Sequence, residues 1–249
     1  VYAASSANLE ALTWLKDNGC RLEADGFAAA CLTGSTEAIL WFENNNCGWD
    51  ERVTSHAAGS GNLAALKLVV GLGYKWGTET TKAAAGLENM DAFVWLREEG
   101  CPWGQSTCIQ ASRDGRLSTI VWARARGCDW GPNVCSLAAR YGHFHVLKWA
   151  KENGCEWNST TLCAAAARGR LDILEWALAN DCPSVNDVNV CASAASGSHL
   201  RVLKWLREEK GFAWDVNTLA FAADTGCYPI VEYCLSEGCP MDDSVVSYA

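Results

Sequence analysis

Trp95, Trp122, Trp149 and Trp176 stand 27 residues apart, and Cys20, Cys47, Tyr74, Cys101, Cys128, Cys155 and Cys182 keep the same spacing. A spacing held over most of a chain means one supersecondary unit used again and again. The period slips by one residue near Ser184 to Val190 and by another near Lys210 and Gly211, and it resumes from Phe212 to Cys239. Every tryptophan falls in one of two columns. The first holds Trp14, Trp41, Leu68, Trp95, Trp122, Trp149, Trp176, Trp205 and Tyr233. The second holds Leu22, Trp49, Trp76, Trp103, Trp130, Trp157, Ser184, Trp214 and Met241. A ligand-binding or catalytic residue is normally unique in its chain. A residue present in nearly every repeat serves what every repeat needs, which is to stack on its neighbours.

Each repeat reads as two helices. The first is short and alanine-rich, as at Cys135 to Arg140, where Ala138 and Ala139 leave room for close helix approach. A turn glycine follows in most repeats (Gly34, Gly61, Gly115, Gly142, Gly169, Gly197, Gly226) and ends that helix. The second helix runs from about His145 to Asn153. Phe144, Val146, Leu147 and Ala150 form its apolar face, and Lys148, Lys151 and Glu152 its solvated one. A Gly-Cys step such as Gly154-Cys155 closes the unit.

These features resemble the ankyrin repeat. Asn133-Val134-Cys135-Ser136 stands where that family has Thr-Pro-Leu-His. Ala138-Ala139 matches its alanine pair, Gly142-His143 its Gly-His, and Gly154-Cys155 its Gly-Ala. Ankyrin repeats run about 33 residues. Here the shortfall lies between Trp157-Asn158 and the next first helix, the segment that forms the projecting finger in that family. The resemblance implies an all-α, finger-less ankyrin-like αα-hairpin solenoid of about nine stacked repeats over residues 1–249. Val1 is in register with Ala28 and Ala249 with Ala222. Both ends thus fall inside a repeat with no polar capping unit, and the chain is expected to be a segment of a longer array.

Fourteen cysteines in 249 residues raise the question of a disulfide or metal framework. Neighbouring helices sit about 8–10 Å apart, whereas a disulfide needs Cα atoms within roughly 4.4–6.8 Å. Column cysteines of successive repeats are therefore expected to be reduced and packed as small hydrophobes. Cys108 and Cys135 follow Cys101 and Cys128 by seven residues, but Phe27 and Thr54 take that place after Cys20 and Cys47, so pairing inside a repeat is not maintained. No C-x₂₋₄-C pair marks a zinc site, and His143 and His199 read as turn residues. Neither Gly-x-Ser-x-Gly nor a phosphate loop occurs. No metal, cofactor or enzymatic activity is expected. A charge of −9 argues against a nucleic-acid partner, and no apolar run approaches the ~20 residues of a membrane span. Nothing reads as a signal peptide, and reduced thiols favour the cytoplasm or nucleus.

The variable positions lie at the end of the first helix. Two residues before the turn glycine stand Leu32, Gly59, Arg113, Arg140, Ala167, Ala195 and Asp224. One residue before stand Thr33, Ser60, Asp114, Tyr141, Arg168, Ser196 and Thr225. Varied charge beside constant core columns is what a recognition surface shows, and also what a solvated face shows. If a protein partner binds here, Arg113, Arg140, Tyr141 and Arg168 are the candidates, because Tyr and Arg are favoured hot-spot types. The ankyrin resemblance implies such a partner and a non-enzymatic scaffold. The alternative is a small-molecule or metal-binding array that uses the Trp and Cys columns.

Overall fold

The computed structural model describes residues 1–184 and 188–242. The fold is all-helical, with no strand among the described residues. The chain forms two compact units, Val1–Asp129 and Trp130–Ala249.

The first unit holds five helix pairs. They are α1 (Tyr2–Ser5) with α2 (Leu9–Asp17), α3 (Ala24–Thr33) with α4 (Thr36–Asn44), α5 (Arg52–Gly59) with α6 (Leu63–Gly71), α7 (Thr78–Ala85) with α8 (Asp91–Glu98), and α9 (Gln105–Arg113) with α10 (Leu117–Ala125). The second unit holds four among its described residues. They are α11 (Asn133–Tyr141) with α12 (Phe144–Glu152), α13 (Ser159–Ala166) with α14 (Leu171–Ala179), α15 (Asn189–Ser196) with α16 (Leu200–Lys204), and α17 (Val216–Asp224) with α18 (Tyr228–Ser236).

First helices pack on first helices: α1 on α3, α3 on α5, α5 on α7 and α7 on α9 in one unit, and α11 on α13, α13 on α15 and α15 on α17 in the other. The alanine pairs explain the close fit. Ala57-Ala58, Ala84-Ala85, Ala138-Ala139, Ala165-Ala166 and Ala194-Ala195 are all buried. The second helices supply the bulk of the core: Phe93 and Leu96 from α8, Val146, Leu147 and Ala150 from α12, and Ile173, Leu174 and Ala177 from α14. Burying each large side chain of this kind contributes about 1.5–3 kcal/mol.

Both helices of a pair end in the same closure. After α11, Gly142 takes φ +77° and the His143 amide donates to the Ala138 carbonyl at 2.8 Å. After α12, the Cys155 amide donates to Ala150 at 2.9 Å. These backward bonds satisfy carbonyls that the helix end leaves open.

The register shifts differ from the sequence reading. Ala194-Ala195 follow Ala165-Ala166 by 29 residues, so the first shift is two residues and not one. Residues 185–187, inside the expected slip, lie outside the described residues. Consequently Ser198, at φ 60°, fills the left-handed turn position assigned to Gly197, which sits at φ −84°. The second shift is absorbed upstream of Lys210. Trp205–Glu209 continues α16 as a π-helical turn. The Phe212 amide then reaches six residues back to Leu206 at 2.9 Å, where the equivalent amides reach five.

Candidate functional site

The recurrent indoles act mainly inside one repeat. Every loop tryptophan except Trp49 meets the aromatic ring 19 residues later on the second helix of its own pair: Trp76 with Trp95, Trp103 with Trp122, Trp130 with Trp149, Trp157 with Trp176, and Trp214 with Tyr233. Centroids are 5.5–6.0 Å apart and the rings edge-on. Phe93 with Trp122 and Phe144 with Trp176 extend the contact to the neighbouring repeat. Most of these indoles are half-buried, and only Trp157 and Trp205 are buried. The expectation that both columns join one repeat to the next thus describes only part of their contacts, among them those of Trp103, Trp157 and Trp214 with a cation of the preceding second helix. The spacing allowed either partner, and the loop ring lies over its own helix pair.

The thiol column follows the same rule. The sulfurs of Cys101, Cys128, Cys155, Cys182 and Cys239 sit 3.4–3.5 Å from the carbonyls of Gly77, Gly104, Gly131, Asn158 and Asp215. Each carbonyl lies at the start of the first helix of the same repeat, so a weak S–H donor ties the end of the second helix to the start of the first. One thiol that faces this column is closer to it than the sequence implied: Cys108 places its sulfur 3.7 Å from that of Cys128. Burial pushes the thiols of Cys31, Cys182 and Cys191 up to about 12. The hydrogen bond with Cys155, together with burial, raises that of Cys135.

What links one repeat to the next was missed in the sequence. At several turns the residue after the turn position reaches back to the turn of the preceding repeat. Asn62 Nδ2 donates to the Gly34 carbonyl at 2.8 Å, Arg116 Nε to Gly86 at 2.9 Å, and Arg170 Nη2 to Gly142 at 3.2 Å. His199 takes the same place over Gly169, where an added Cβ would lie 2.7 Å from its Nδ1. The residue types differ, so no column revealed the contact. Arg116 also pairs with Glu88 at 2.9 Å.

All four residues picked out as a partner surface are exposed. Arg113 ends α9 in the first unit. Arg140 and Tyr141 end α11, and Arg168 follows α13, which packs on α11 in the second unit. The Arg170 guanidinium, held on the Gly142 carbonyl, adds a third positive charge to this edge. Arg140, Arg168 and Arg170 form no ion pair among the described residues.

The first unit contains a groove of about 580 Å³ between the loops that precede α5 and α7, lined by Trp49, Tyr74 and Trp76 together with Asp50, Glu51 and Glu79. Among the described residues no three His, Cys, Asp or Glu side chains are grouped to hold a metal ion. No described helix is long and apolar enough to cross a membrane. No family model and no curated protein matches the chain.

Proposed function

We propose that this chain is an array of short, ankyrin-like repeats serving as a non-enzymatic scaffold that holds a protein partner on the exposed ends of its first helices. The observation that carries this reading is the edge formed by Arg140, Tyr141 and Arg168. These side chains are exposed at the end of α11 and in the turn after α13, two helices that each carry a buried alanine pair. Their backbones are fixed before any partner arrives, so binding orders only side chains, and preorganisation of this kind lowers the entropic cost of association. Two unneutralised guanidiniums flanking a tyrosine suit an acidic or carboxylate-rich surface on the partner. The scaffold is read as intracellular, in cytoplasm or nucleus, where its thiols stay reduced.

Proximity labelling with the wild-type chain and with an Arg140→Glu/Tyr141→Ala/Arg168→Glu variant tests the reading. Proteins labelled by wild type are expected to be lost with the variant while the far-ultraviolet circular dichroism spectrum and melting temperature stay the same. An identical labelling profile from both chains would refute this surface.

A further inference from the structure

Several loop tryptophans carry one of the chain's own cations, drawn from the last turn of the preceding second helix. Arg97 lies 4.0 Å from the Trp103 ring, Lys151 4.5 Å from Trp157, and Arg207 4.2 Å from Trp214. At Trp49 and Trp76 the corresponding helix position holds Glu43 and Val70. No lysine or arginine lies over either indole among the described residues.

Two further columns break at the same place. Trp49 finds Leu68 where other loop tryptophans find an aromatic partner, and Tyr74 replaces the column cysteine. Trp49 is left 57% exposed and leans edge-on against Tyr74, centroids 4.9 Å apart. Two rings at 82° make the corner of a box, and Trp76 also borders the groove. The charge around it is inverted relative to the other repeats. The Tyr74 hydroxyl donates to the Glu43 carboxylate, and Asp50, Glu51 and Glu79 line the groove. Of the two lining cations, Lys75 is exposed, and Arg52 is already bound by Asp50 and by Asp25, the latter at 2.6 Å.

We propose that this groove binds an alkylated ammonium cation, whose charge takes the place over Trp49 and Trp76 that the chain's own arginine or lysine takes in other repeats. Aromatic faces attract a cation through their quadrupole, methyl groups on the nitrogen pack against the Trp49–Tyr74 corner, and the carboxylates of Asp50, Glu51 and Glu79 give the groove a negative field. The same headgroup occurs on a free choline-like ion and on a trimethylated lysine in a peptide. Two or three partly exposed rings support a Kd on the order of 0.1–1 mM for the headgroup alone.

The test follows the tryptophan indole N–H resonances of ¹⁵N-labelled chain at constant ionic strength, with Trp49→Phe and Trp76→Phe spectra used for assignment. Titrants are choline, its neutral carbon isostere 3,3-dimethylbutan-1-ol, and a ten-residue peptide with and without trimethyl-lysine. Saturable shifts of Trp49 and Trp76 with choline, a tenfold weaker response to the isostere, and none at Trp157 or Trp214 are expected. The trimethylated peptide binding more tightly than choline would assign the headgroup to a protein, and the reverse order to a free ion. Val70→Arg supplies an internal cation over Trp76 and is expected to weaken choline at least fivefold with the melting temperature unchanged. Trp49→Ala is expected to weaken it tenfold. No shift at 20 mM choline, equal response to the neutral isostere, or wild-type affinity in both variants would overturn the proposal.

Discussion

The indole of Trp130 meets that of Trp149 edge to face, with centroids 5.7 Å apart and ring planes at 66°. One ring sits in the loop before α11 and the other on α12, so the contact closes a helix pair on itself. Trp149→Ala removes both the buried part of the ring and this contact. A loss of about 2–4 kcal/mol is expected, near the lower end for a large aromatic because the ring is half-buried. Trp49→Ala, which removes a largely exposed ring, is expected to cost under about 1 kcal/mol. Urea midpoints of the two variants check the ranking. Equal midpoints would mean that the pair does not hold the repeat closed.

Gly142 is constrained twice. Its φ of +77° disfavours any side chain, and an added Cβ would lie 1.6 Å from the Arg170 guanidinium. Gly142→Ala is expected to cost more than the ~1 kcal/mol of the backbone conformation alone. In the Gly142→Ala/Arg170→Ala double variant the clash is gone, and the two losses should sum to more than the double variant shows. Thermal denaturation of the four proteins in the cycle measures the coupling.

Thr107, Thr161 and Thr218 bury hydroxyls that have no hydrogen-bond partner among the described residues. Val53, Val134 and Val190 occupy the same column in other repeats and are buried as well. A buried hydroxyl without a partner is a desolvation loss. Thr161→Val is therefore expected to raise stability by about 1 kcal/mol, whereas Thr81→Val should lower it, since the Thr81 hydroxyl donates to the Pro102 carbonyl at 2.7 Å. Denaturation midpoints that move in the same direction for both variants would contradict this account.

Stability should fall in alkali because of the buried thiols. In the unfolded chain a thiol ionises near pH 8.5. Cys31, Cys182 and Cys191 hold their protons in the folded chain up to about pH 12. Below about pH 8.5 both states are protonated and their difference does not change. Between there and the folded value the unfolded chain sheds protons that the folded chain keeps, which favours unfolding by about 1.4 kcal/mol per thiol per pH unit. Urea midpoints from pH 7 to 10.5 are expected to drop above pH 8.5, and less steeply in Cys191→Ala. A parallel slope in that variant would show that Cys191 ionises alike in both states.

The period, the alanine pairs and most turn positions could be read from the sequence because each rests on a residue type that recurs. The direction of the indole contacts could not. Trp149 stands 8 residues from Trp157 and 19 from Trp130, and in a 27-residue repeat these are the same relation counted forward or back. Packing alone chooses between them, and it chooses Trp130. The ladder from Asn62, Arg116, Arg170 and His199 stayed hidden for the opposite reason: the geometry repeats while the residue does not. The groove was present in the sequence only as exceptions to the columns, Glu43, Leu68, Val70 and Tyr74, each of which looks like ordinary drift until the fold puts Tyr74 on the groove wall with its hydroxyl on Glu43.

The π-helical turn at Trp205–Glu209 has a consequence for how such a chain can change length. An extra residue there is taken up as a local widening of the coil, and the next tryptophan, Trp214, still finds its cation and its aromatic partner. The insertion inside this second helix is thus silenced before it reaches the following module, and the downstream lattice of contacts is left unscrambled.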